Sequence, residues 1–207
     1  MAKSVTFIDT EVGVDDHKIH DIGAIRQDHT SFHAANIREF AAFVEGTEYI
    51  CGHNILHHDL KYLQNALGYE LPAIKIDTLY LSPLLFPKRP YHALLKDDKL
   101  QSDQLNDPVN DCKKAATLFY DEVNAFFELP SKMKQIFCCL LYDHPEFHGF
   151  FRYVNFRPYH VNVPELIRAE YEGQICSNAE LLPLIRHYPV ELAYALALVG
   201  AKDEHSI

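Results

Sequence analysis

The chain has 207 residues, a length that suits one domain or one domain with a modest appendage. Its 19 Lys and Arg face 29 Asp and Glu, for a formal charge of −10 with the 13 His counted neutral, which excludes a protein that coats phosphate with a basic surface. At 48% hydrophobic and 12% aromatic residues it can build a core, so disorder throughout is excluded as well.

In chain order, the β-branched and aromatic run 4–8 reads as a strand leading into Asp9. Residues 21–26 and 31–35 read as two more strands, so the chain is expected to open as an antiparallel meander. Asn36 is placed to cap a helix ending at Val44, with Ile37, Phe40, Ala41 and Val44 at helical spacing. Residues 49–52 form a short buried strand. Residues 54–67 then carry Ile55, Leu60, Leu63 and Leu67 on one side of a helix that Gly68 ends, with Asn54 as its cap. A strand over 74–77 precedes an apolar helix interrupted by Pro83 and Pro87. The polar stretch 88–106 is expected to be a mobile loop, and Pro108 suits the first turn of a helix running to about Phe127. Strands alternating with helices imply an α/β domain over residues 1–128 with a mixed sheet. Residues 129–207 read as a helical extension, with helices at 133–141, 163–171, 179–187 and 190–199 and an aromatic-rich connector (Phe147, Phe150, Phe151, Tyr153, Phe156) between the first two.

The five cysteines are odd in number and lack a C-x-x-C pair, so neither a disulfide framework nor a zinc ribbon is expected. No secretory signal opens the chain, and its longest apolar stretch, near 190–201, is too short for a bilayer. A soluble, cytoplasmic protein without membrane contact is the expectation.

Three groups of acids carry the chemistry. Asp9 and Glu11 lie two apart at the end of the first strand, so alternation sends both to one face, where they can share a cation. Asp59 follows the run Gly52-His53-Asn54-Ile55-Leu56-His57-His58 on the next apolar helix. Asp111 lies in the first turns of the last helix of the α/β domain, where an acid also suits the helix dipole. Taken singly, each acid has an ordinary reading as a solvated or capping carboxylate.

Together and in this order they resemble the DEDD superfamily of 3′–5′ exonucleases, of the RNase T and DNA polymerase III proofreading type. There a D-x-E on the first strand, an H-N-x-x-x-x-D before a hydrophobic helix and a late helical Asp recur. Asp9 and Glu11, then His53, Asn54 and Asp59, then Asp111 match that pattern, and the resemblance covers roughly residues 4–127. It implies an RNase H-like mixed sheet flanked by helices, two Mg²⁺ or Mn²⁺ ions held by Asp9, Glu11, Asp59 and Asp111, and hydrolysis at the 3′ end of single-stranded DNA or RNA. Hard cations prefer such oxygen ligands, and a pair of ions ~4 Å apart serves in-line phosphodiester cleavage. Thr10, His53 and Asn54 are the expected substrate contacts, with Lys88, Arg89, Lys96, Lys113 and Lys114 as candidates for the strand backbone.

One position departs from the family. The branch with His as general base carries it five residues before the last Asp, where this chain has Asn106; the Tyr of the other branch would fall at Asp107. An amide orients water and cannot take its proton. His92, His57 or His58 then stand as candidate bases, with proton loss to bulk solvent as the remaining route. Asn106 also fits the alternative of a weakened module that binds nucleic-acid ends or a protein partner, though four intact acids argue against complete loss of the site. The helical extension suits a homodimer surface or a junction to a helicase. A zinc site at His53, His57, His58 and Asp59 is disfavoured, because adjacent helical residues diverge by about 100°.

Overall fold

The computed structural model of the chain describes residues 3–94 and 107–201; Lys96 and Asn106 therefore lie outside the described residues. The chain forms two compact units, one of residues 1–79 and 93–121, the other of residues 80–92 and 122–207.

The first unit is α/β. Strands β1 (Val5–Val12), β2 (Ile19–Arg26) and β3 (Ser31–His33) form the expected antiparallel meander. Helix α1 (Ile37–Val44) follows, then β4 (Tyr49–Gly52), helix α2 (Asp59–Leu67) and β5 (Ile74–Asp77). β4 pairs parallel to β1 and β5 parallel to β4, which makes a mixed five-stranded sheet of order β3-β2-β1-β4-β5 with β1 at its centre. Ile8, Ile22, Ala24 and Ile50 from the sheet pack with Phe40 and Val44 of α1 and Leu60 and Leu63 of α2. α1 starts where Asn36 accepts the N–H groups of Arg38 and Glu39, as capping requires. α2 stops at Gly68, whose φ of 77° is the left-handed conformation that glycine takes without strain. The chain passes between the units within α3 (Thr78–Leu85) and within α4 (Pro108–Glu128).

Three expectations are corrected here. β1 extends to Val12, so Asp9 and Glu11 lie inside the strand and not at its end. α2 begins at Asp59, and Asn54 does not cap it; Asn54 turns the chain out of β4 with φ 64°, a conformation Asn tolerates better than most residues. The aromatic connector is itself a helix, α6 (Pro145–Tyr153), since Phe147, Phe150 and Phe151 recur at helical spacing and are buried.

The second unit is helical. α5 (Ser131–Leu141) packs against α6, α7 (Val163–Glu170) and α9 (Pro189–Gly200), and α8 (Leu181–His187) packs against α9. Phe126 sits among Phe150, Phe151 and Phe156 at ring-centroid distances of 5.4, 5.9 and 5.4 Å, all edge-on. No helix among the described residues is long and apolar enough to cross a membrane.

Candidate metal centre

Asp9 sits on the central strand with Gly23 of β2 directly opposite. A Cβ at Gly23 would come within 2.4 Å of the carbonyl carbon of Pro108 and 2.6 Å of the Val109 nitrogen. The missing side chain is therefore what lets the first turn of α4 lie against the sheet. Asp107 steadies that turn by accepting the Val109 N–H at 3.0 Å. One turn on, Asp111 reaches the acid-bearing face of β1. Further along the same helix Phe119 meets Phe7 at 5.8 Å, so α4 runs antiparallel to β1 with its contacts two residues and then two helical turns away.

Carboxylate oxygens of Asp9, Glu11 and Asp111, all half-buried, lie within 4.8 Å of one another. Asp59 reaches the group differently. Thr10 points to the other side of the strand, and its N–H and hydroxyl both donate to one oxygen of Asp59, each at 2.7 Å. The second oxygen of Asp59 lies 3.7 Å from Nδ1 of His58. The structure thus gathers three of the four expected acids into one cluster and ties the fourth, buried, to the same strand.

The electrostatics show how close that fourth acid is. Burial and the charges of Asp59, Asp111 and Glu11 push Asp9 up to about 8, against a small lowering by His58. The contact with Asp59 in turn holds the His58 imidazolium above the usual histidine range. The Lys114 ammonium pairs with Asp111 at 3.4 Å. Half-buried carboxylates that repel one another and offer only hard oxygens could together hold a metal ion.

The remaining expected residues are placed as follows. Nδ1 of His53 meets Thr78 Oγ1 at 2.8 Å, and that hydroxyl donates to the Gly52 carbonyl at 3.3 Å. His53, His57, His58 and Asp59 do not assemble as a nitrogen-rich site; among the described residues the grouped metal-capable side chains are Asp9, Glu11 and Asp111. His57 is exposed, and His58 is the histidine beside the acids. His92 belongs to the second unit, where its Nδ1 lies 2.9 Å from Ser82 Oγ and burial with nearby Arg89 lowers its pKa. Lys113 reaches toward Asn110, and the Arg89 guanidinium lies 3.8 Å from the centroid of the Phe86 ring.

No protein-family model, no curated protein and no solved structure matches the chain.

Two supporting residues escape the sequence reading. Gly23 carries a usable signal, since a glycine inside an apolar strand often marks a close backbone approach. Asp77 carries none. It is fully buried and accepts the N–H groups of Asn54 (2.8 Å), Leu56 (3.1 Å) and Leu79 (3.0 Å), fixing the turn that leads to Asp59.

Proposed function

We propose that the chain is a metal-dependent 3′–5′ exonuclease that hydrolyses single-stranded DNA or RNA from its 3′ end. The observation that carries this reading is the set of Asp9, Glu11 and Asp111 oxygens within 4.8 Å, on residues whose order along the chain also matches the DEDD pattern. The sheet order β3-β2-β1-β4-β5, antiparallel up to β1 and parallel beyond it, suits an RNase H-like domain.

In this reading Asp9, Glu11 and Asp111 hold the ions and Asp59, fixed by Thr10, completes the negative field around them. Two Mg²⁺ or Mn²⁺ ions would supply an activated water and stabilise the leaving 3′-oxygen. Burial first, and then the charges of Asp59, Asp111 and Glu11, raise the pKa of Asp9, and bound ions would relieve the repulsive part. They would also turn a phosphate-repelling patch on an acidic protein into an attracting one. His53, held by Thr78, and Asn54, at the turn Asp77 fixes, precede Asp59 in the chain and would serve as substrate contacts. His58, 3.7 Å from Asp59, would take the proton-accepting role that Asn106 cannot fill, in its neutral form, which its raised pKa shifts to higher pH.

The test is digestion of 5′-labelled single-stranded DNA and RNA with Mg²⁺ or Mn²⁺, beside Asp9→Ala. A ladder shortening from the 3′ end with the parent alone is the expected result. Metal binding without any product would instead favour the weakened binding module.

A further inference from the structure

A cleft of about 690 Å³ opens in the first unit between the start of β2, the start of α1 and α2, within the size range of small-ligand sites. Its lining mixes apolar Ile19, Ile37 and Ala66 with Lys18, Lys61 and Tyr62, both lysines exposed. Two of its lining residues neighbour the acid-bearing segments. Tyr62 is one helical turn beyond Asp59 on α2, and its ring lies 5.4 Å from that of His58, the histidine that contacts Asp59. Ile19 pairs with Val12, the residue after Glu11. The Lys61 ammonium lies 5.8 Å from the centroid of the Tyr62 ring, so charge and π-face are presented together. Asp16 accepts the Lys18 backbone N–H and meets the His20 ring, each at 3.0 Å.

We infer that this cleft binds single-stranded nucleic acid upstream of the end held at the acids, with Lys18 and Lys61 on backbone phosphate and Tyr62 stacked on a base. An apolar lining, an aromatic ring and two cations are the composition that tracks a single strand without reading its sequence. The two lysines also place local positive charge where an acidic chain needs it to retain a polyanion. The inference rests on the exonuclease reading for its direction, though not for the binding itself.

The experiment compares cleavage of a dinucleotide and of a decamer by the parent, Lys18→Ala/Lys61→Ala, Tyr62→Leu and, as a charge control in the other unit, Lys132→Ala. All four positions are surface or half-buried, so the variants are expected to fold. The advantage of the decamer, read as the ratio of kcat/KM values, should shrink about tenfold in the lysine pair and in Tyr62→Leu and stay as in the parent for Lys132→Ala. The salt dependence of decamer binding should also flatten by roughly 0.7 in log–log slope for each phosphate contact removed. An unchanged ratio and slope would overturn the inference. If the parent cuts neither substrate, the exonuclease reading falls, and anisotropy of a labelled decamer decides the cleft alone. Parental binding weakened by the lysine pair supports it, and no parental binding overturns it.

Discussion

Thr10 determines how Asp59 is held. Both of its donors serve one carboxylate oxygen, which leaves the other oxygen for His58 and for whatever enters the site. Thr10→Val keeps the shape and removes the hydroxyl donor to a buried carboxylate. It should lower unfolding free energy by roughly 1.5–3 kcal/mol in urea titration, the range for hydrogen bonds to charged groups. A loss near zero would mean that the backbone N–H suffices. Asp77→Asn should weaken the protein on a similar scale, because its two oxygens accept three N–H groups and an amide puts a donor against one of them. At this scale the sequence was legible only in part. Asp9, Glu11, Asp59 and Asp111 stand out because a strand's alternation and a helix turn constrain where acids can meet. Thr10 and Asp77 do not, because their roles depend on partners 49 and 23 residues away that no local pattern names.

The placement of α4 against the sheet is an element-scale property, and it depends on Gly23. A methyl group there meets backbone and not a flexible side chain, so the helix start must move and Asp111 with it. Gly23→Ala should lower Mn²⁺ affinity about tenfold or more by calorimetry, with a stability loss of about 1–3 kcal/mol from overpacking. Gly46→Ala is the contrast. Its φ of 74° strains any other residue, yet open space surrounds it, so stability should fall by about 1 kcal/mol with metal affinity unchanged. Equal affinities for the two variants would remove Gly23 from the assembly of the site. Most elements were readable, since Asn36, Gly68 and Pro108 mark their ends with local chemistry. The exceptions have physical causes. Pairing with β2 carries β1 past Asp9 to Val12, because ladder hydrogen bonds outweigh the low strand preference of acids. Asp77, by binding the Asn54 and Leu56 N–H groups, holds the chain in a turn until His58 and so delays α2.

For the molecule as a whole, the net charge of −10 and the raised pKa of Asp9 lead to one linked prediction about acid and metal. Asp9 stays protonated in the folded protein up to about 8, whereas its ordinary value is 3.8. Between those limits the native state binds more protons than the unfolded state, so stability must fall as pH rises through that window. Without metal, the urea midpoint should therefore decline from about pH 4 to pH 8, with the steepest dependence expected to vanish in Asp9→Asn. A divalent ion bound by the ionised acids, as proposed, would reverse the sign, because the proton on Asp9 would exclude it. Mn²⁺ should raise the midpoint more at pH 8 than at pH 6. Calorimetry at pH 7 in buffers of different ionisation enthalpy should record proton release on binding, carried by Asp9. A midpoint that rises with pH in EDTA, or metal binding at pH 7 with no proton release, would show that these acids do not share the repulsive cluster from which both the metal site and the nuclease reading are drawn.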